Sequence, residues 1–102
     1  MPTVLFIVKA TIPVDKEAAF NRWYNEEHVR DVLKYPGLVS AHRYKVIEGE
    51  DKFQYMAAYE LQDEATYRRF VASDHMRFLR AEYDAHFPMS ERARFAYTQV
   101  WP

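Results

Sequence analysis

Apolar residues of this chain fall into four short runs that are separated by amphipathic stretches. The runs span residues 4–11, 38–47, 53–61 and 92–101, are rich in β-branched and aromatic residues, and are short for helices, which predicts four strands. The stretches between the first and second runs, and between the third and fourth, carry apolar residues at helical spacing. The order β-α-β-β-α-β predicts an α+β, ferredoxin-like fold with a four-stranded antiparallel sheet and its helices on one face.

Polar residues and prolines predict where the helices begin and end. Asp15 is a candidate N-cap for a first helix that runs to about residue 34, and Pro36 with Gly37 ends it. Asp63 is a candidate cap for the next helix, and Ser73 opens a further helical piece.

The third and fourth strands carry apolar side chains on both faces, whereas a sheet that is open to water on one side alternates apolar and polar residues. In the third strand one face carries Phe53, Tyr55, Ala57, Tyr59 and Leu61, and the other carries Met56 and Ala58. In the fourth, Phe95, Tyr97 and Trp101 oppose Ala96 and Val100. We therefore expect a homodimer that forms through the sheet face away from the helices.

Length and composition narrow the class of protein. The 102 residues suit one domain, 1–102, and the net charge of −1 argues against nucleic acid as a partner. The absence of Cys excludes disulfides and thiolate chemistry. No apolar run is long enough for a membrane span, and Met1-Pro2-Thr3 does not resemble a signal peptide, so we expect a cytoplasmic protein without a membrane partner.

The first predicted helix holds the densest cluster of candidate chemistry. At 100° per residue, six side chains fall within about 140° of its circumference: Phe20, Trp23, Tyr24, Glu27, His28 and Asp31. An imidazole at His28 whose pKa is raised by these carboxylates would titrate near neutral pH, as a general acid or base does. The alternative is that the aromatic residues are core and the three titratable residues lie at its solvated edge.

The second strand and the second helical region add further candidates. One face of the second strand carries Ser40, His42 and Tyr44, and the other carries Arg43. A face lined by such polar groups would suit a ligand cavity. The alternative is that this face lies at an exposed edge. His75 lies in the first turn of a predicted helix, where the dipole lowers an imidazole pKa, although surface histidines are common there. The four histidines show no metal-ligand spacing, and no phosphate-binding loop occurs, so we expect neither a metal nor a cofactor.

The run Phe20-x-x-Trp23-Tyr24-x-x-x-His28, followed by Pro36-Gly37 and Arg43-Tyr44, resembles the EthD-like branch of the dimeric α/β-barrel superfamily. This resemblance implies a dimer with a pocket between sheet and helices in each subunit. It also implies that His28 and Tyr44 act as the corresponding residues of lactone isomerases do, or that His75 acts as in the cyclases.

On this resemblance we expect a small cofactor-independent enzyme that isomerises, cyclises or dehydrates a cyclic or aromatic carbonyl metabolite. The catalytic candidates are His28, Tyr44 and His75, and the candidate substrate-binding residues are Trp23, Tyr24, Asp31, His42 and Arg43. The alternatives are a non-catalytic binding or regulatory dimer that holds an aromatic ligand, and a cofactor-free monooxygenase.

Overall fold

A four-stranded antiparallel sheet with helices on one face forms the molecule, in a computed structural model that describes residues 2–102. The strands are β1 (Val4–Ala10), β2 (Leu38–Lys45), β3 (Tyr55–Leu61) and β4 (Arg92–Thr98). The helices are α1 (Glu17–Trp23), α2 (Val29–Leu33), α3 (Glu64–Val71) and α4 (Asp74–His86), with a 3₁₀ turn at Val14–Lys16 and a π-helical turn at Tyr24–His28. The sheet order β2-β3-β1-β4, with every neighbouring pair antiparallel, confirms the predicted ferredoxin-like fold.

The helix starts follow the sequence prediction at two of three places. The Asp63 carboxylate accepts a hydrogen bond from the Thr66 backbone N–H at 2.8 Å, and the Ser73 hydroxyl accepts one from the Met76 N–H at 3.0 Å. Asp15 is not an N-cap, because it lies inside the 3₁₀ turn that precedes α1, and α1 begins without a side-chain cap.

The core lies between the sheet and the helices. From the helices, Phe20, Trp23, Tyr24, Phe70, Met76, Leu79 and Tyr83 are buried in it, and from the sheet so are Val4, Phe6, Ala10, Ala57, Tyr59 and Leu61. Burial of large aromatic side chains is the main source of stability in a chain of this size. The third-strand face that contains Ala57, Tyr59 and Leu61 is therefore the core face.

The outer face of the sheet is apolar along its centre. Ile7 and Ala58 are buried there even in the single chain, and Leu5, Phe95 and Tyr97 beside them are about half exposed. β4 ends at Thr98, so Val100 and Trp101 lie outside the strand and are almost fully exposed, contrary to the predicted strand end. Dimerisation through this face stays a prediction.

The tight turn before β2 requires glycine. Gly37 has a φ of +101°, and a Cβ at this position would lie 2.4 Å from Cγ2 of Thr66. The Gly37 carbonyl accepts a hydrogen bond from the Gln62 backbone N–H at 2.9 Å. The turn therefore brings the start of β2 directly against α3.

Candidate functional site

A π-helical turn, Tyr24–His28, interrupts the first helix where the candidate residues are densest. The backbone N–H of Val29 donates to the carbonyl of Tyr24, five residues earlier. This wider turn directs both Tyr24 and His28 into the protein, where they are 2% and 8% exposed. Such π turns occur within helices mostly as single insertions and frequently at functional sites.

His28 is packed among aromatic rings. Its imidazole stacks on the Trp23 indole, with centroids 4.6 Å apart and planes at 21°, and meets the rings of Tyr24 and Tyr83 edge-on at 4.8 and 5.7 Å. The predicted inward aromatic stripe is therefore present, but Glu27 is exposed and takes no part in it.

A small cavity lies between the sheet and the helices, with His28 in its wall. The apolar lining consists of Phe6, Val8, Val32, Phe70, Met76 and Leu79, and the polar lining of His28, Tyr59, Arg80, Tyr83, Arg92 and Arg94. Its volume is about 30 Å³, enough for one or two water molecules. A larger ligand would therefore have to displace side chains of the lining. Two lining residues, Arg80 and Arg94, are exposed to solvent.

Burial lowers the pKa of His28 from its ordinary 6.5 to about 4, because a charged imidazole loses its hydration in the core. The Asp31 carboxylate opposes this shift, and the charges of Arg92 and Arg43 add to it. The expectation that neighbouring carboxylates hold this pKa near neutrality is therefore wrong, since desolvation outweighs them. His28 is neutral at pH 7 and can accept a proton or a hydrogen bond.

The buried hydroxyls of Tyr24 and Tyr59 lie close to one another, and neither makes a well-formed hydrogen bond within residues 2–102. Burial raises the pKa of both, so both carry their proton at neutral pH. The Tyr83 hydroxyl differs, because it is hydrogen-bonded to Oγ of Ser90 at 2.8 Å. Since a buried hydroxyl without a well-formed hydrogen bond is costly, Tyr59 in the cavity wall is a candidate hydrogen-bond donor to a ligand.

Arg43 reaches the aromatic cluster from β2. Its guanidinium lies 4.2 Å from the Tyr24 ring centroid and donates to the side-chain oxygens of Asn25 and Asn21 at 2.7 and 3.0 Å. Burial lowers its pKa, although a guanidinium stays charged at neutral pH. Arg43 is outside the cavity lining and contacts the ring of Tyr24, so its effect on the site is indirect.

Two arginines of β4 lie on the core side of the sheet, and neither is among the site residues that the sequence predicts. The Arg92 guanidinium donates to the Asp84 carboxylate at 2.7 Å and lies 4.0 Å from the Tyr83 ring centroid. The pKa of Arg94 is lowered by burial, and the charges of Arg80 and Arg92 add to that effect. The spacing Arg92-x-Arg94 places both on one strand face, but the sequence does not show that this face is the inner one.

Tyr44 and His42 do not lie near His28. They are on the outer face of the sheet, since side chains alternate along β2 and Arg43 between them points to the helices. Both are exposed, Tyr44 by 52%. The expected pairing of Tyr44 with His28 in one pocket is therefore wrong for this chain.

Contacts within the protein account for the position of the His75 side chain without a ligand. Its Nε2 donates to the backbone carbonyl of Asp31 at 2.6 Å, and its ring stacks on Tyr35 and Phe78. The Asp31 carboxylate pairs with Lys34 at 3.0 Å. His75 therefore ties α4 to α2, outside the cavity.

Within residues 2–102, no three His, Asp or Glu side chains converge as metal ligands. The helices described in that range are also too short or too polar to cross a membrane.

Solved structures share this fold over nearly their whole length. An EthD family protein of Bacillus halodurans superposes with a TM-score of 0.75 at 19% identity, covering 98% of this chain and 100% of its own. A DABB family protein with a ferredoxin-like fold from Mesorhizobium loti gives 0.77 at 13% identity, covering 99% and 100%. SnoaB of Streptomyces nogalater, a cofactor-independent oxygenase solved as a point mutant, gives 0.56 at 22%, covering 98% and 97%.

Fold and comparisons together define a ferredoxin-like protein, whose fold is shared by solved proteins of the EthD and DABB families. The chain belongs to the family described as a domain of unknown function, DUF4286, which it matches over residues 3–93.

A curated relative is core atranone cluster (CAC) protein 1 of the fungus Stachybotrys chlorohalonatus. It is 39% identical over 65 residues, which are 62% of this chain. The match spans only 27% of that relative's length.

Proposed function

We propose that this chain is a cofactor-independent enzyme that transfers protons on a cyclic or aromatic carbonyl metabolite bound between the sheet and the helices. The observation that carries the proposal is His28, a neutral imidazole in the wall of a cavity that combines apolar and polar side chains. A general base must be unprotonated at the working pH, and a site that excludes water strengthens its interaction with the ligand.

The cavity wall supports a planar, partly unsaturated ligand. Phe6, Tyr59, Phe70 and Tyr83 present ring surfaces to it, and rings pack favourably against rings. The Tyr59 hydroxyl, which lies beside that of Tyr24 without a well-formed hydrogen bond, is suited to donate a hydrogen bond to a ligand carbonyl oxygen.

In the proposed reaction His28 takes a proton from a carbon next to the carbonyl, and the electron pair stays on the ligand as an enolate. Tyr59 donates to the enolate oxygen, where the negative charge develops. Returning the proton from His28 to another carbon isomerises the ligand. Alternatively, the enolate expels a β-hydroxyl group, which takes the proton from His28 and leaves as water, so that the ligand is dehydrated. The imidazolium formed at His28 is stabilised by the enolate beside it, although its pKa is low in the empty site.

The first experiment identifies a ligand and tests the base in one system. Aromatic lactones, quinones and phenols are screened by thermal shift, because binding to the folded state raises the melting temperature. Each hit that carries a C–H next to a carbonyl is then incubated with the protein in D₂O, and NMR follows the exchange of that C–H. We expect catalysed exchange, which falls roughly 10²–10⁴-fold in His28→Gln.

His42→Gln is the matched control, because His42 is exposed on the opposite face of the sheet. It should exchange the ligand at the wild-type rate. Binding without exchange would favour the non-catalytic binding dimer, and oxygen uptake that accompanies ligand consumption would favour the monooxygenase. Undiminished exchange in His28→Gln would refute the proposed role of this residue.

A further inference from the structure

The entrance to the cavity combines an apolar interior with positive charge. Of the lining residues, only Arg80 of α4 and Arg94 of β4 are exposed, and Arg92 is half-buried next to them. β4 is an edge strand of the sheet, so the entrance lies between α4 and this edge. A ligand that enters from this exposed side passes these guanidinium groups.

The positive charge at this entrance is only partly balanced. The Asp84 carboxylate pairs with Arg92 at 2.7 Å. Within residues 2–102, neither Arg80 nor Arg94 forms an ion pair with a carboxylate, whereas seven other basic side chains do. The neighbouring positive charges disfavour one another, and an anion bound between them relieves that repulsion.

We propose that the ligand of this cavity is an aromatic or cyclic carboxylic acid, whose carboxylate binds at the entrance between Arg80 and Arg94. Guanidinium groups present paired N–H donors that match the two oxygens of a carboxylate. The inference deepens the proposed function and rests on it, because it assumes that the same cavity takes the ligand.

The sheet geometry sets the length of such a ligand. Tyr59 lies on β3 and Arg94 on β4, and β1 lies between these strands with Phe6 and Val8 facing the cavity. Two strand spacings are about 10 Å, so a ring packed over β1 can direct a carbonyl towards Tyr59 and a carboxylate towards Arg94. The two polar groups are therefore expected at opposite ends of the ligand.

Matched pairs of probes test this charge preference. The probes are 4-hydroxybenzoate, 6-hydroxy-2-naphthoate and 4-acetylbenzoate, each compared with its primary amide, which has nearly the same shape without the charge. Affinity for each is measured by calorimetry on the full chain. We expect at least one acid to bind about tenfold or more tightly than its amide, because a charge-assisted contact is lost in the amide.

Substitutions of the entrance arginines test whether these residues cause the preference for the acid over the amide. The double substitution Arg80→Gln/Arg94→Gln should abolish it, and Arg80→Lys/Arg94→Lys should retain part of it, because the charge remains without the paired donors. Arg30→Gln is the matched control for loss of a charge, since Arg30 is exposed on α2 and outside the cavity lining. It should keep the full preference for the acid. Circular dichroism and the melting temperature of each variant confirm that it is folded.

The outcomes separate this inference from the proposed function. Equal affinity for acid and amide, no binding of either, or a preference that survives in the Arg80→Gln/Arg94→Gln variant would overturn the carboxylate inference. The proposal for His28 is decided independently by hydrogen exchange of the neutral lactone, quinone or phenol hits. A carboxylate preference with no exchange would instead support a binding protein for aromatic acids.

Discussion

The indole of Trp23 and the imidazole of His28 lie stacked with their centroids 4.6 Å apart, although they are five residues apart in the chain. In a regular α-helix, side chains five residues apart point about 140° away from each other. The π-helical turn removes this divergence and lays one ring over the other. The contact keeps His28 out of water and is thus part of the reason for its low pKa.

The stability of the protein should depend on the titration of His28. Its pKa is about 4 in the folded protein and 6.5 when unfolded, so between these values the unfolded chain binds a proton that the folded chain does not. Stability contributed by the neutral imidazole is therefore present above pH 6.5 and is lost as the pH falls to about 4, by about 3 kcal/mol in all. Urea denaturation at several pH values measures this dependence.

His28→Gln should flatten that part of the pH profile, because glutamine does not titrate. His42→Gln should retain it, because His42 is exposed. A direct NMR titration that places the pKa of His28 near 6.5 would contradict this account.

Trp23 is expected to be a major contributor to folding stability. It is 7% exposed and contacts the rings of Tyr24, Tyr83 and Phe87 in addition to His28. Trp23→Ala should lower the free energy of unfolding by about 3–5 kcal/mol, as for other buried aromatic residues. Trp101→Ala is the matched control, since Trp101 is 84% exposed, and should change the denaturation midpoint little. Equal effects of both substitutions would show that Trp23 is not core.

The two glycines provide a direct measurement of the contact between the turn and α3. Gly37 and Gly49 have nearly the same φ, +101° and +104°, but a Cβ would meet Thr66 at Gly37 and nothing within 4 Å at Gly49. Gly49→Ala should cost about 1–2 kcal/mol for the left-handed backbone alone. Gly37→Ala should cost more in the same denaturation assay.

The additional cost at Gly37 should depend on Cγ2 of Thr66, the nearest atom. Thr66→Ser removes this methyl group and keeps the hydroxyl, so a double-mutant cycle should show partial rescue of Gly37→Ala. Additive effects in the cycle would indicate that the clash lies elsewhere.

Removing the hydroxyl of Tyr59 should affect stability differently from removing that of Tyr83. The Tyr59 hydroxyl is buried beside that of Tyr24 without a well-formed hydrogen bond in the described part of the chain, whereas the Tyr83 hydroxyl is bonded to Ser90. Tyr59→Phe should leave stability unchanged or raise it by about 1 kcal/mol, and Tyr83→Phe should lower it by about as much. If Tyr59 donates to the ligand, Tyr59→Phe should also weaken binding of the acids or neutral hits, as calorimetry would show.

The chain is expected to form a homodimer through the outer face of the sheet. Phe95 and Tyr97 are about half exposed beside the buried Ile7, and such a surface is characteristic of an interface. Sedimentation should give twice the chain mass of 12.2 kDa, and the interface should bury upwards of about 1,200 Å².

Charge on that face should separate the subunits. Phe95→Glu/Tyr97→Glu should sediment as a monomer, and Val14→Glu, at an exposed apolar residue of the 3₁₀ turn, should remain dimeric. A wild-type chain that sediments as a monomer at micromolar concentration would refute the dimer.

Local patterns in the sequence determined the order of elements, two helix caps and which residues of β3 share a face. These features depend on neighbours in the chain: Asp63 and Ser73 cap helices through residues three positions later, and the alternation along β3 sorts Tyr59 from Ala58. The N-cap predicted at Asp15 was wrong, because a 3₁₀ turn replaces the expected helix start.

Only the tertiary structure decided which side chains share the cavity. Alternation along β2 pairs Tyr44 with His42 but does not say which face meets the helices, and the position of Arg43 over the Tyr24 ring settled that. The π turn that seats His28 against Trp23 leaves no signal in a helical pattern. The pKa of His28 depends on its burial by α4 and the sheet, and the arginines at the entrance come from segments distant from His28 in the chain. Desolvation and charge act across space rather than along the sequence, so neither effect could be derived from the order of residues.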